Sequence, residues 1–479
     1  MGCTTILVGK KASYDGSTMI ARNDDSSNGK FTAKKLQVIH PKNMPRIYKS
    51  VLSKFEVELP ENPLQYTAMP NAVEGDGMWA AAGVNIENIG MTATETITSN
   101  ARVLGADPLV KDGFGEEDIV MITLPYIHSA KEGVKRLGLL LEQYGTYESN
   151  GIAFSDVDSI WYMETIGGHH WIARRVPDDS YVMMPNQFGI DEFDFEDACS
   201  NENEYMCSKD LKEFIEENHL NLSQDDHFNP RYAFGSHSDS DHVYNSPRAW
   251  YMGKYFNPAT YDWDNPHGKY SPESDELPWC LVPEKKITPS DVKYILSSHY
   301  QGTPYDPYGK STESSLKGKY RTIGINRTDF VALIQLNGHK IKECQAIEWI
   351  AEGSNVFNTM VPLFAHMNTA PEYLANTTKD VSTDNFYWAS RLIGALADAS
   401  YGNSITEIDR YQLAVEAKGN AIVKKYEKLI EDAQDKDEAI QSANEEIVEM
   451  LKQETNKVLN KVLYIRSLGM KNAFNRSDN

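Results

Sequence analysis

The sequence of 479 residues lacks any apolar run long enough to cross a membrane, and it lacks an excess of positive charge. A membrane-spanning helix needs about 20 predominantly apolar residues, and no such stretch is present. The 69 acidic residues against 47 Lys and Arg give a formal net charge of −22 at pH 7. Because nucleic acids and anionic membranes attract basic surfaces, we expect neither as a partner. A basic segment followed by an apolar one is missing at the N-terminus, so we expect no secretory signal.

Cysteine is scarce and scattered. The five Cys residues are odd in number and form no Cys-x-x-Cys pair, which argues against a disulfide framework and against a structural zinc site. Reduced thiols are typical of the cytoplasm, where we therefore expect the protein. Walker, dinucleotide-binding and Gly-x-Ser-x-Gly patterns are absent as well, so we expect no cofactor and no metal.

The feature that stands out is the N-terminal segment. The runs 4–8 and 18–21 predict two strands joined by an Asp-Gly hairpin turn. Such a hairpin places Cys3 at the start of one strand and Arg22 and Asp25 at the end of the other, on the same rim. A thiol beside a guanidinium and a carboxylate can be an activated nucleophile. These residues alone leave open a buried hairpin with an inert cysteine.

The first 400 residues alternate short β-branched or aromatic runs with helical patterns, which is typical of paired strands with helices between them. The segment 187–290 differs because it is rich in Asp, Asn, Ser, Pro and aromatic residues. We expect it to form a loop-rich insertion over the rim of the sheets.

The last segment, 401–479, has the composition of amphipathic helices. Ala, Glu, Lys, Leu and Ile dominate it, and apolar residues recur at helical spacing with a break near 435–437. We expect a C-terminal helical extension that packs on the domain or on a second copy. A homo-oligomer is therefore one candidate assembly.

Two further segments carry candidate site residues. A strand predicted over 181–185 is followed by Asn186, whose side-chain amide could complete an oxyanion hole at the sheet rim. The alternative is an Asn that caps a turn. Arg248 stands in an Asn-Ser-Pro-Arg sequence, and its alternative role is a surface ion pair.

The ordered set of motifs resembles N-terminal-nucleophile hydrolases of the choloylglycine hydrolase and penicillin V acylase type, and more closely the cysteine dipeptidases of peptidase family C69 (the dipeptidase A type). The resemblance begins with Cys-Thr-Thr-Ile at Cys3 and with Arg-Asn-Asp-Asp at Arg22. It continues in the segments 161–164, 181–188, 244–250, 298–307 and 382–388. Within 298–307, Gln301 replaces the family's Glu, so no charged role is expected at that position.

The resemblance implies a fold and an activity. The fold is an α+β, four-layer αββα sandwich over 1–400, with the insertion at 187–290 and the helical extension at 401–479. The activity is hydrolysis of the peptide bond of small peptides. An acylase acting on N-acyl amino acids, bile-salt conjugates or penicillin V is one alternative, and a non-catalytic oligomeric binding protein is another.

The resemblance also assigns roles to residues. Cys3 is the nucleophile and its free α-amine is the base, Arg22 activates the thiol, and Asp25 is the acidic partner. Asn186 donates to the oxyanion together with a backbone N–H of the 92–96 strand, and Arg248 faces Asp25. The mechanism requires removal of Met1-Gly2, for which self-cleavage before Cys3 is the expected route.

Three groups are weaker candidates. Glu95 and the acidic loop 239–241 are candidates for binding the substrate's amine and carboxylate, and the alternative for the loop is a solvated acidic segment. The pair His169-His170 suggests a metal site, but adjacent residues of a strand point to opposite faces, so we expect no shared ion.

Overall fold

A computed structural model describes residues 2–73, 75, 77–224, 227–265, 268–310 and 313–471, without the side chains of 93–95. The strands are β1 (Thr4–Val8), β2 (Thr18–Asp25), β3 (Gln37–Ile39), β4 (Ile47–Lys49), β5 (Glu56–Glu58), β6 (Tyr66–Ala68), β7 (Ala82–Val84), β8 (Gly90–Thr96), β9 (Asn150–Ser155), β10 (Ile160–Ile166), β11 (His170–Arg175), β12 (Tyr181–Met184), β13 (Tyr205–Cys207), β14 (Cys280–Leu281), β15 (Thr328–Leu336), β16 (Ala346–Glu352) and β17 (Val361–Phe364). The helices are α1 (Ala101–Ala106), α2 (Glu116–Thr123), α3 (Ala130–Tyr144), α4 (Phe195–Ala198), α5 (Leu211–Glu217), α6 (Pro230–Phe234), α7 (Asp241–Tyr244), α8 (Ser246–Phe256), α9 (Pro289–Leu296), α10 (Glu372–Ala375), α11 (Phe386–Asp398), α12 (Tyr401–Asp432) and α13 (Lys436–Leu468). Among these helices, none combines the length and the apolar content that crossing a membrane requires.

The predicted N-terminal hairpin lies at the centre of a seven-stranded sheet with the strand order β14-β12-β1-β2-β15-β16-β17. All of its paired strands are antiparallel. A second sheet of six strands has the order β13-β11-β10-β9-β8-β7 and is also antiparallel. Together with the helices, these sheets confirm the α+β class.

The two sheets pack face to face, and helices lie against each of them. Across the interface between the sheets, β2 contacts β8 and β9, and β15 contacts β7. Helix α2 contacts β8, and α3 contacts β9, β10 and β11. On the seven-stranded sheet, α8 contacts β12, α9 contacts β2 and β15, and α11 contacts β16.

Strand β1 shows how the sequence produces this layering. Ile6 and Val8 belong to the apolar cluster between the seven-stranded sheet and its helices. Leu7 points the other way and belongs to the cluster between the two sheets. Because successive side chains of a strand alternate between faces, a strand that is apolar at every position must be covered on both sides.

The C-terminal helices belong to the same core. Ile408 in α12 and Ile447 in α13 are fully buried in the cluster that includes β16 and β17. The side chain of Asn444 hydrogen-bonds to both the N–H and the C=O of Phe364 in the edge strand β17, at 2.9 and 3.0 Å. Helix α13 therefore covers an edge that would otherwise expose unpaired backbone groups.

The segment 187–290 contains short elements. They are α4, β13, α5, α6, α7, α8 and β14. Its aromatic residues are buried rather than exposed, as Trp250 and Trp279 show.

Candidate active site

Cys3 and Arg22 lie side by side because of the register of the first hairpin. Thr5 pairs with Arg22 and Thr4 with Asn23, so the residue before β1 lies next to the end of β2. Arg22 Nη2 donates to Cys3 Sγ at 2.9 Å, and neither residue is exposed. A guanidinium at this distance stabilises a thiolate over a thiol.

Two carboxylates complete the surroundings of the guanidinium. Arg22 Nη2 also donates to Asp24 Oδ1 at 2.9 Å and to Glu116 Oε1 at 3.3 Å. Asp24 Oδ1 lies 3.9 Å from Cys3 Sγ. Residues 22 and 24 share a face of β2 because they are two positions apart.

Cys3, Asp24 and Glu116 have the composition of a metal site. Their ligand atoms lie within 4.8 Å of one another. However, Nη2 of Arg22 is within hydrogen-bonding distance of all three. The guanidinium thus occupies the position that a cation would take, and the cluster does not fit a metal ion.

Lys34 is a second buried cation at the cluster. Its Nζ lies 3.0 Å from Asp24 Oδ2, and its side chain is 3% exposed. Burial alone would raise the pKa of Asp24, but the charges of Lys34 and Arg22 outweigh burial and hold that pKa below its ordinary value. Asp24 is therefore an ionised carboxylate shared by two cations.

Asp25 lies on the opposite face of β2. Its carboxylate pairs with Arg321 and accepts a hydrogen bond from Thr328 Oγ1 at 2.6 Å. Arg321 also donates to the carbonyl oxygen of Gly2. Asp25 is thus connected through Arg321 to the peptide bond that precedes Cys3, whereas Asp24 is the carboxylate beside the thiol.

Gly2 is tightly enclosed. A Cβ atom at this position would lie 2.0 Å from Tyr244 Oη and 3.3 Å from Arg321 Nη2. Tyr244 Oη accepts a hydrogen bond from Arg327 Nη2 at 2.6 Å. A residue with a side chain at this position would therefore require Tyr244 to move.

Arg248 connects the backbone of Cys3 with Asn186. It donates to the carbonyl oxygen of Cys3, to Thr4 Oγ1 at 2.7 Å and to Asn186 Oδ1 at 2.7 Å. It is fully buried, unlike an arginine in a surface ion pair. The resemblance implies that Arg248 faces Asp25, but the guanidinium that pairs with Asp25 belongs to Arg321.

Asn186 reaches the site because β12 pairs with β1. Thr5 lies opposite Met184, two residues before Asn186. The backbone N–H and C=O of Asn186 both hydrogen-bond to the side chain of Asn245, each at 3.2 Å. Since its Oδ1 accepts from Arg248, the side-chain NH2 is directed away from that arginine.

Asp241 supports this arrangement from the acidic loop 239–241. Asn245 Nδ2 donates to Asp241 Oδ1 at 2.6 Å, and Ser238 N donates to Asp241 Oδ2 at 2.9 Å. Asp241 is buried and begins α7, so it is a structural support of Asn186 rather than part of a solvated loop. The side chain of Glu95, the other candidate for binding an amine, lies outside the described residues.

A small cavity of about 290 Å³ lies beside Asp24. Its lining includes Asp24, Lys34, Trp79 and Asp329. A larger cavity of about 680 Å³ has a lining that includes His299, Tyr308 and Phe357. The cluster of Cys3, Arg22, Asp24 and Glu116 does not line this cavity.

The sequence analysis missed several residues of the site. They are Lys34, Glu116, Tyr244, Arg321 and Asp329. All except Lys34 come from segments far along the chain from Cys3, and only Tyr244 lies in one of the segments that carry the resemblance.

The His169-His170 pair also differs from expectation. His169 precedes β11 instead of lying in it, so the alternation of a strand does not separate the two rings. Both Nδ1 atoms contact the carboxylate of Asp107, at 2.8 and 2.7 Å. The pair therefore shares a carboxylate.

Comparison with known proteins places these motifs in a family. The model of peptidase family C69 matches residues 2–414. A dipeptidase of Bifidobacterium longum (strain NCC 2705) is 50% identical over 532 residues, with 100% of both chains covered. A probable dipeptidase A of Streptococcus pyogenes serotype M3 (strain SSI-1) is 54% identical over 479 residues, again with 100% of both chains covered.

A more distant relative agrees. A probable dipeptidase B of Lactococcus lactis subsp. lactis (strain IL1403) is 44% identical over 479 residues, with 99% of this chain and 98% of the relative covered. Since the family model spans most of the chain and the relatives match it from end to end, the chain belongs to peptidase family C69, the family of peptide hydrolases that the residues around Cys3 predict.

Proposed function

We propose that the protein is a cysteine dipeptidase. It hydrolyses the peptide bond of small peptides through an acyl-enzyme on Cys3, after cleavage of the Gly2–Cys3 bond. The observation that carries this proposal is the 2.9 Å contact between Cys3 Sγ and Arg22 Nη2 at the buried end of the first hairpin. The relatives named as dipeptidases support the substrate class.

We also propose a fold and a division of the chain into domains. The packing of the two sheets and their helices supports a four-layer αββα sandwich of the N-terminal-nucleophile hydrolase type. We assign the catalytic domain to 1–400, with the insertion at 187–290, and the helical extension to 401–479. A cytoplasmic location and assembly into a homo-oligomer remain predictions.

The first chemical step exposes the amine of Cys3. The Cys3 thiolate attacks the carbonyl carbon of Gly2, the C–N bond to Cys3 breaks, and the α-amine takes up a proton. Water then hydrolyses the resulting thioester and releases the residues before Cys3. Arg321 already donates to the Gly2 carbonyl oxygen and is ready to stabilise the negative charge that forms there.

Dipeptide hydrolysis then uses the same thiol with its free amine. An α-amine has a reference pKa of roughly 8, so it can take the thiol proton near neutral pH. Attack on the substrate carbonyl gives an oxyanion, which Asn186 and a backbone N–H of the 92–96 strand stabilise. The amine protonates the leaving group and later activates water.

Two substitutions test the proposal. Cys3→Ala should abolish hydrolysis of a dipeptide such as alanyl-leucine, because it removes the nucleophile. Cys344→Ala is the matched control, since Cys344 is also buried but lies in a distant part of the core. The control should retain wild-type kcat/KM.

The outcomes separate the alternatives. Full activity of Cys3→Ala would contradict the cysteine mechanism. Wild-type protein that cleaves an N-acyl amino acid faster than the dipeptide is an acylase. Wild-type protein that cleaves neither, with residues 1–2 still attached, is the non-catalytic binding protein.

A further inference from the structure

Strand β15 contains a local irregularity beside the thiol cluster. Thr328 pairs with Asp25 and Phe330 pairs with Asp24, so Asp329 has no residue opposite it on β2. A bulge of this kind re-aims a side chain and is common next to active sites. Here it brings the Asp329 carboxylate to the small cavity beside Asp24.

The Asp329 carboxylate is buried without a cation. It accepts hydrogen bonds from Ser26 Oγ at 2.5 Å and from Thr32 N at 2.8 Å, one on each oxygen. No Lys, Arg or His of the described residues lies within 4.0 Å of it. Its exposure is 1%. Burial raises the pKa of Asp329 well above its ordinary value, and the neighbouring Asp24 adds to this rise.

Burial favours the neutral form of Asp329 in the empty cavity, and Lys34 opposes this only in part. A cationic ligand would stabilise the ionised carboxylate, so this position favours a cation over a neutral group. The nearby cations are already paired, because Lys34 and Arg22 both contact Asp24. An ammonium group entering the cavity would pair with Asp329 and favour its ionised form. Each Asp329 oxygen accepts one hydrogen bond already and has a further lone pair that could accept one from this ammonium group.

The position of the cavity suits the amine of a peptide substrate. Asp24 lines the cavity and its Oδ1 lies 3.9 Å from Cys3 Sγ. A carbonyl carbon under attack lies about 3–3.5 Å from its nucleophile, and the α-nitrogen of the same residue is two bonds from that carbon. An ammonium beside Asp24 is therefore within reach of a substrate whose first carbonyl lies at the thiol, and Asp329 lines the same cavity as Asp24.

The rest of the lining fits a small residue. Val51, Leu52 and Trp79 supply apolar surface. The volume of about 290 Å³ is at the lower end of ligand cavities, which span roughly 300–1,000 Å³. Trp79 has a positive φ of 47°, which is strained for a bulky side chain.

We propose that Asp329, with Asp24 beside it, binds the α-ammonium group of the substrate and so places the first peptide bond at Cys3. This inference rests on the proposed dipeptidase function and adds the residue that requires a free N-terminus. It explains how one site distinguishes a dipeptide from an N-acylated amino acid.

The test compares two substrates that differ only in the amine. They are alanyl-leucine and its des-amino analogue, propionyl-leucine. Asp329→Asn should lower kcat/KM for alanyl-leucine about 10- to 100-fold, mainly through KM, because a charge-assisted hydrogen bond is lost. The same variant should keep kcat/KM for propionyl-leucine within about threefold of wild type. If propionyl-leucine is hydrolysed too slowly to follow, its inhibition constant against alanyl-leucine hydrolysis is compared instead.

Glu348→Gln is the matched control. Glu348 is a fully buried carboxyl group in the same sheet that does not line the cavity. The Glu348→Gln variant should hydrolyse both substrates with wild-type kcat/KM. Ser26→Ala is a second variant. It removes a hydrogen-bond donor to Asp329 and should lower kcat/KM for alanyl-leucine only.

Three results would overturn the inference. They are equal loss for both substrates in Asp329→Asn, unchanged kinetics in that variant, and a wild-type enzyme that treats the two substrates alike. The wild-type comparison holds even where Asp329→Asn does not fold. Absence of wild-type dipeptide hydrolysis would instead contradict the proposed function, so the two failures are distinguishable.

Discussion

At the residue scale, Arg22 determines the electrostatics of the site. One guanidinium nitrogen contacts the thiol and two carboxylates within 3.3 Å. A lysine is not equivalent, because Arg22 also donates through Nε to the carbonyl oxygen of Asn23 at 3.3 Å. The single nitrogen of an ammonium group replaces only one of the three nitrogens of the guanidinium. The net effect is a buried cation held against Cys3 without direct exposure to water.

Asn186 gives the first prediction at this scale. Asn186→Asp keeps an oxygen for Arg248 but removes the NH2 group that is proposed to hold the oxyanion. We expect kcat to fall about 10²- to 10³-fold with little change in KM, since the lost hydrogen bond forms only in the transition state. Steady-state kinetics on a dipeptide measure this, and a loss expressed only in KM would contradict the assigned role.

The sequence predicts part of this site and misses the rest for a physical reason. The proximity of Cys3 and Arg22 follows from the hairpin, because the Asp-Gly turn joins two neighbouring strands whose ends meet at one rim. The same alternation distinguishes Asp24 from Asp25, because only residue 24 shares a face with Arg22. Asp329 could not be predicted, because it reaches the site through the pairing of β15 with β2, some 300 residues apart in the chain. Arg321 lies in the segment before β15 and depends on the same long-range pairing.

At the element scale, the end of β12 is held by a buried acid. Glu164 in β10 accepts hydrogen bonds from Gly189 N at 2.6 Å and from Ile190 N at 3.3 Å. These two residues follow Asn186 closely in the chain. Burial raises the pKa of Glu164 to about 7, although the two backbone hydrogen bonds oppose the rise.

The raised pKa of Glu164 gives a prediction about stability and pH. Between pH 4.5 and 7 the folded protein keeps the proton that the unfolded chain releases, so the free energy of unfolding falls as pH rises through this window. In Glu164→Gln, the decrease in the free energy of unfolding between pH 5 and pH 7.5 should be smaller by roughly 2–3 kcal/mol. Denaturant unfolding at pH 5 and at pH 7.5 measures the difference, and an unchanged pH dependence would contradict it.

The elements themselves were partly predictable. Helix α9 begins at Pro289, and Thr288 is its N-cap. Thr288 and Asp291 form a capping box, a local signal that the sequence does contain. The bulge at Asp329 has no comparable signal, because it depends on the register of β15 against β2.

At the scale of the whole molecule, the long C-terminal helices complete the core. Their composition predicts amphipathic helices, and the break near 435–437 agrees with the boundary between α12 and α13. Composition does not reveal which surface they cover. In the structure, α12 and α13 contact β17, and their buried residues join the cluster of the seven-stranded sheet.

This packing predicts a contrast between two substitutions. Ile447→Ala, at a fully buried position of α13, should lower the free energy of unfolding by about 2–4 kcal/mol because it leaves a cavity. Leu413→Ala, at a position of α12 that is 67% exposed, should change it by less than about 0.5 kcal/mol. Denaturant unfolding tests both, and equal effects would mean that α13 does not complete the core.

The claim on which everything else depends is that the active enzyme begins at Cys3. Intact-mass measurement and N-terminal sequencing of purified protein with full dipeptidase activity test it most directly. We predict a chain that has lost residues 1–2 and carries a free amine on Cys3. A fully active protein whose chain still begins at Met1 or Gly2 would contradict the mechanism.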